Sequence, residues 1–149
     1  MSETPMPPPA YLFIALSGMM LLHLFFPGPV LIPGPWNAAG LVPLALGITL
    51  NLIAGRTFIR SGNPIRSFEV PQELVTSGIY RVSRNPMYLG MVLIGTGVAF
   101  LLATPAPFII VPVFAVVIDR VFIDAEETVL EERFGDRYRR YRQEVRRWL

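Results

Sequence analysis

Two long stretches of the chain carry no Asp, Glu, Lys or Arg, one between Thr4 and Gly55 and the other between Asn85 and Ile118. Lipid offers backbone N–H and C=O groups no water, so a helix that closes its own hydrogen bonds is the economical way through it, and each block accommodates two spans of about 20 residues. Turn-forming clusters divide the blocks: Pro27-Gly28-Pro29 and Pro33-Gly34-Pro35 in the first, Thr104-Pro105-Ala106-Pro107 in the second. The pattern predicts transmembrane helices near residues 10–26, 36–59, 86–102 and 107–123. The first is short, about 25 Å long, so it stands nearly upright or thins the bilayer. After Asp124 the apolar and aromatic positions Val129, Leu130, Phe134, Tyr138, Tyr141, Val145 and Trp148 advance by three or four, which predicts an amphipathic helical tail over 124–149. Gly135-Asp136 offers a kink or a restart with Asp136 as cap, and one bent helix or two short ones both satisfy the pattern. The expected fold is all-α: a polytopic membrane protein of about four transmembrane helices and a C-terminal amphipathic cytoplasmic helix, in a single domain over 1–149.

Hydrophobic residues make up 52% of the 149 positions, in keeping with an integral membrane protein whose first partner is the lipid bilayer. The opening Met-Ser-Glu-Thr-Pro-Met-Pro-Pro-Pro lacks the basic stretch of a secretory signal, so residues 10–26 are read as a retained span. Neither turn cluster is charged. By contrast, the central loop carries Arg56, Arg60, Arg66, Arg81 and Arg84, and the segment after Ile118 carries eight arginines. The positive-inside rule then puts the loop, the tail and both ends of the chain in the cytoplasm, and the expected location is the bacterial inner membrane. All 13 basic residues are arginine, but the net charge is only +2 and eight acids balance the eight arginines of the tail. This predicts a salt-bridged helix and no nucleic-acid partner. Without cysteine there is no disulfide, thiolate nucleophile or thiolate metal site.

The residues suited to chemistry collect at the edges of the second block. In Leu74 to Gly90, Arg84 supplies a fixed cation, Asn85 suits an N-cap, and Pro86 suits the first helical position. A helix start beside a guanidinium favours an anion, a carboxylate or a phosphate. Tyr80 and Tyr88 flank Arg84 by four residues; each is a candidate for the site or an interfacial anchor, Tyr88 the better placed. Gly90, Gly95 and Gly97 allow close helix packing, and Gly90 also allows close approach of a ligand. Glu126 and Glu127 stand where the fourth span leaves the membrane, and in isolation they read as partners of Arg120 or Arg133 within the helix. His23, the only histidine, cannot build a metal site alone and is expected to hydrogen-bond another span, with Asn51 as the candidate partner. No metal is expected.

Gly78-x-Tyr80-x-x-x-Arg84-Asn85-Pro86-x-Tyr88-x-Gly90, the apolar hairpin after it, Glu126-Glu127 and Phe134-Gly135-x-x-Tyr138-x-x-Tyr141 together resemble the isoprenylcysteine carboxyl methyltransferase and phospholipid methyltransferase superfamily. The resemblance covers roughly the C-terminal half. At Asn85 the family usually has histidine, so this chain keeps hydrogen-bonding capacity there but no titratable imidazole. The resemblance implies an integral membrane methyltransferase with S-adenosylmethionine as cofactor and a lipophilic acceptor: an isoprenylcysteine carboxylate, a phospholipid amine or another small lipophile. It implies a cofactor site of Tyr80, Arg84, Asn85, Pro86, Tyr88, Gly90, Glu126 and Glu127. Arg84 would meet the cofactor's carboxylate, while Glu126 or Glu127 would meet its ammonium or ribose hydroxyls. Arg84 and Glu127 are the candidates for a catalytic role, with no base assigned and Glu127 read as the more inward acid. Two other readings stand beside it, an NADPH-dependent enzyme like the sterol reductases and a non-catalytic membrane scaffold of the same fold.

Overall fold

The computed structural model describes residues 6–63 and 71–149, and among these every regular element is helical. Arg66 of the predicted basic loop lies outside the described residues. Four apolar helices form the body: α1 (Pro8–Phe25), α2 (Leu41–Arg60), α3 (Pro86–Leu102) and α4 (Pro105–Ile118). Each of α1, α3 and α4 begins with proline in its first turn, where the missing N–H costs nothing. A short 3₁₀ turn, Trp36–Gly40, leads directly into α2. Three helical stretches are long and apolar enough to cross a membrane, namely Pro8–Phe25, Trp36–Arg60 and Pro105–Phe134; α3 is apolar but shorter, at 17 residues.

α2 and α3 pack most closely, and glycines set their separation. A Cβ on Gly40 would fall 2.5 Å from the Gly97 carbonyl oxygen, and one on Gly47 would fall 2.5 Å from that of Gly90. The paired glycines are seven residues apart on each helix and run in opposite directions, so the two backbones touch along an antiparallel seam. Gly95 faces elsewhere, toward Met19 of α1 and Val111 of α4. Asn51 packs against Gly90 and bonds the Gly47 carbonyl of its own helix. It is therefore not the partner of His23, whose Nδ1 lies 3.2 Å from Thr104 Oγ1. His23 sits in the last turn of α1, which reaches the start of α4 at one end of the bundle, whereas Asn51 lies farther along α2 beside Gly90.

α4 does not stop at the predicted membrane exit. It runs through one π-helical turn, Asp119–Ile123, into α5 (Asp124–Phe134), so the fourth span and the acidic pair share one continuous rod. Gly135, at φ 49°, breaks the rod before α6 (Asp136–Glu144). The tail is thus two helices, and Gly135 rather than the Asp136 side chain occupies the cap position; Asp136 pairs with Arg139 at 2.7 Å instead. Helical periodicity does not persist to Trp148. Val145 is extended, and residues 145–149 form a strap that turns back onto the bundle.

Candidate functional site

The loop before α3, the helix α5 and the strap converge at one end of the bundle. Asn63 prepares the loop: its Nδ2 donates to the Glu73 carbonyl at 2.9 Å, and its Oδ1 accepts the backbone N–H groups of Gln72 and Glu73 at 2.8 and 3.0 Å. Val75 and Tyr80 then bury against Ala54 of α2. Gly78, at φ 59°, begins the short turn Gly78–Arg81. This anchoring delivers Arg84 to the head of α3.

Arg84 Nη2 donates to Glu127 Oε1 at 2.8 Å, with each side chain only 8% exposed, and Nη1 donates to the Arg142 carbonyl at 3.0 Å. The other Glu127 oxygen accepts from Arg147 Nη2 at 2.7 Å. Arg147 also reaches Asp124 at 2.9 Å and Asp119 at 3.2 Å, so a single guanidinium joins three carboxylates. Its partial burial lowers its affinity for a proton, but the bond to Glu127 and the neighbouring acids outweigh that and raise its pKa. Glu126 turns to another partner, accepting the Tyr88 hydroxyl at 2.7 Å. The two acids therefore diverge as neighbours on a helix must, and neither pairs with Arg120 or Arg133.

Asn85 stands at the cap position of α3, yet its side chain does not cap the helix. Its Nδ2 donates to the Arg147 carbonyl at 3.1 Å, beside Ser83 Oγ, which donates to the same oxygen at 3.3 Å and accepts the Asn85 backbone N–H at 3.1 Å. The Arg84 N–H bonds the Arg146 carbonyl at 3.0 Å. Carbonyl groups of the strap thus lie against the corner where the sequence places an anion. Pro86 is buried there, and Gly90 sits one turn on, against Asn51 of α2. Every residue of the expected set except Gly90 is drawn into this end of the bundle, and Gly90 serves the α2–α3 seam.

Among the described residues, three buried polar atoms have no hydrogen-bond partner: Tyr80 Oη, Arg84 Nε and Tyr138 Oη. An unpartnered buried group costs about 1–3 kcal/mol. Burial pushes the Tyr138 phenol up to about 12, with Glu127 adding to the rise and Arg84 opposing it. Tyr80 and Tyr141 are raised further, again first by burial. Tyr141 has a partner, its hydroxyl donating to the Tyr80 carbonyl at 2.6 Å, which ties α6 to the loop. A cavity of about 270 Å³ opens beside the ion pairs, lined by Asp124, Glu127, Thr128, Glu131, Arg142 and Arg147. Among the described residues, no group of three His, Cys, Asp or Glu side chains is placed to hold a metal ion.

Arg147 and Ser83 are the members that reading the sequence missed. Arg147 is one of eight arginines in the tail, and helical periodicity continued to Trp148 would leave it on a solvated face. The usable signal was the acid at Asp119, which sits where a span ends and needs a cation from elsewhere in the chain.

Residues 36–137 match the phospholipid methyltransferase family model. The chain belongs to this family, which includes the isoprenylcysteine methyltransferases. It is 34% identical over 131 residues to protein-S-isoprenylcysteine O-methyltransferase B of Arabidopsis thaliana, covering 82% of this chain and 62% of that protein. With protein-S-isoprenylcysteine O-methyltransferase A of the same plant it shares 30% over 143 residues, covering 88% and 70%. An uncharacterized protein of Haemophilus influenzae is 46% identical over 63 residues, 42% of this chain and all of that one. The fold resembles that of a eukaryotic intramembrane Ras methyltransferase, isoprenylcysteine carboxyl methyltransferase, at a TM-score of 0.67 and 24% identity, covering 99% of this chain and 54% of that one. The chain thus spans about three-fifths of the first plant enzyme and about half of the solved one. Apolar helices long enough to cross a membrane and this fold together make it an integral membrane protein.

Proposed function

We propose that this protein is an S-adenosylmethionine-dependent methyltransferase of the bacterial inner membrane that acts on a lipophilic or amphiphilic acceptor, with the loop, the tail and both chain ends in the cytoplasm. The observation that carries the reading is the buried pair Arg84–Glu127, set among three polar atoms without partners. An amino-acid end bearing one carboxylate and one ammonium matches that pair in charge, so it can replace the internal ion pair without stranding a charge in a poorly hydrated site. Arg84 would hold the carboxylate and Glu127 the ammonium. Tyr80, Tyr138 and Arg84 Nε supply further polar contacts, while Tyr88 and Glu126, already joined, would receive the ribose hydroxyls.

Bound S-adenosylmethionine supplies an electrophilic methyl group on a sulfonium. The protein's own part is then alignment and exclusion of water, both of which its buried ion pairs and covering strap support. An ionised carboxylate acceptor needs no base. An amine acceptor must lose a proton, and Glu126, which meets Tyr88 and, among the described residues, no arginine, is the candidate to take it. The relatives are named as methyltransferases, which favours this reading over a reductase or a scaffold.

The test is titration calorimetry of detergent-purified protein with S-adenosylmethionine and S-adenosylhomocysteine. Saturable heat from both supports the reading; none from either, in protein that melts cooperatively, overturns it.

A further inference from the structure

Two cavities border the strap, one through Arg147 and the other through Trp148. One is the acid-lined cavity beside Glu127 and Arg147. The other, about 290 Å³, is lined by Ala115, Val116, Asp119, Arg120 and Trp148. Its floor belongs to α4, whose Val113 and Val116 are more than half exposed on a helix long and apolar enough to cross a membrane, so this second cavity is a notch at the charged end of that apolar helix. The strap is thus a partition that both cavities touch. Trp148 lines the notch, and its indole N–H bonds Asp119 Oδ1 at 3.1 Å; Asp119 in turn takes Arg147, which reaches across to Glu127. The hydrogen bonds that hold this partition in place come from polar groups, the carboxylates of Asp119, Asp124 and Glu127 together with Arg84 N–H, Ser83 and Asn85.

We infer that the strap 145–149 is a movable wall between the two cavities, latched by Arg147, and that the notch receives the apolar chain of a lipid-borne amphiphile. Methyl transfer to such an acceptor requires the lipid-facing and the acid-lined spaces to join, and the strap is what separates them. The latch also has a built-in release. Arg84 and Arg147 share the Glu127 carboxylate, one on each oxygen, so an ammonium group that takes Arg84's place there also draws charge from the Arg147 contact and weakens one of the three carboxylate contacts that close the wall. A ligand that binds better to the open arrangement shifts the protein toward it. The inference rests on the methyl-donor reading given above.

The two tryptophans make the wall observable. Trp36 lies at the opposite end of the bundle and is largely exposed, so Trp36→Phe leaves Trp148 as the sole reporter. In vesicles of phosphatidylcholine brominated on its acyl chains, Trp148 fluorescence is expected to be strongly quenched relative to ordinary phosphatidylcholine. Saturation with S-adenosylmethionine should weaken that quenching about twofold or more as the wall leaves the notch. Arg147→Gln in the same background should show the weakened quenching before any ligand is added. No heat of binding would overturn the methyl-donor reading and this inference with it. Binding heat with unchanged quenching overturns the wall alone, and equal fluorescence in brominated and ordinary lipid overturns the notch as a lipid-facing site. Strong quenching retained in a folded Arg147→Gln protein removes Arg147 as the latch.

Discussion

Arg84 carries several interactions, and the consequences of removing it can be separated. Its loss leaves Glu127 buried but still bonded to Arg147, so the acid is not stranded. Arg84→Ala should therefore retain the fold while S-adenosylmethionine affinity, read by calorimetry, falls at least about tenfold, the loss of a charge-assisted bond worth about 1.5–3 kcal/mol. Arg84→Lys should recover part of this, because an ammonium cannot fork across a carboxylate. Glu126→Gln and Glu127→Gln should differ: Glu127 is buried between two arginines, whereas Glu126 meets one tyrosine hydroxyl and, among the described residues, no arginine. The larger loss of cofactor affinity is expected at Glu127, and full affinity in both variants would return the pair to a structural role. Tyr138→Phe removes a buried hydroxyl that has no partner, so it should raise the thermal midpoint of the ligand-free protein and lower cofactor affinity. The phenol also gives a pH signature. Its value is raised from 10.0 to about 12 in the folded protein, so the stability contributed by its neutral form is complete below pH 10 and is lost as the pH rises toward 12. Over that window the melting point should fall more steeply in the parent than in Tyr138→Phe.

Among the elements, the α2–α3 seam depends on having no side chain at its crossing points. A Cβ at Gly47 would meet Gly90 O, Ile94 N and Ile94 Cγ1, all within 2.9 Å, two of them backbone atoms that cannot turn aside. Gly47→Val should cost about 1–3 kcal/mol or more through overpacking, read as a lower midpoint of thermal unfolding in detergent. Gly18→Ala is the matched comparison: its nearest neighbour would be the Ile110 Cδ1 methyl at 3.9 Å, an ordinary contact, so its midpoint should hardly change. The seam matters to the site because α3 carries Pro86 and Tyr88 at its head, and α2 supplies Ala54, against which Tyr80 and Val75 are packed.

For the whole molecule, the charged loop and the tail meet at one end, while the uncharged connectors lie at the other, where the Leu31 N–H bonds the Ala103 carbonyl and His23 meets Thr104. That polarity predicts a single orientation in the membrane. Cysteines placed singly at Arg60 and at Pro33, both exposed, report it in a chain that has none of its own. In intact cells an impermeant maleimide should label Pro33→Cys and spare Arg60→Cys until the membrane is opened. The reverse pattern would put the candidate site on the outer face, away from cytoplasmic S-adenosylmethionine.

Helix composition and placement were legible in the sequence because both follow from local chemistry. Long uncharged blocks demand self-satisfied backbone, and prolines open the first, third and fourth spans; the third helix begins and ends at the residues its pattern predicts, Pro86 and Leu102. That Arg84, Tyr88, Glu126 and Glu127 belong to one site was implied by the resemblance to the methyltransferase superfamily, since the acids taken alone read as partners of Arg120 or Arg133. What the sequence left open depends on register across distance. Which acid turns inward is decided partly by the π-helical turn at Asp119–Ile123, which shifts the facing of every later residue in the rod and carries no compositional mark. His23 was matched to the wrong partner because a lone polar group in a span says that a bond is needed, not which neighbouring helix provides it. Arg147 became the centre of the network only when Gly135 broke the rod and the strap folded back, placing one of eight chemically equivalent arginines among three carboxylates. Sequence assigns charge to a residue; only the tertiary fold selects which opposite charge it meets and how much water remains between them.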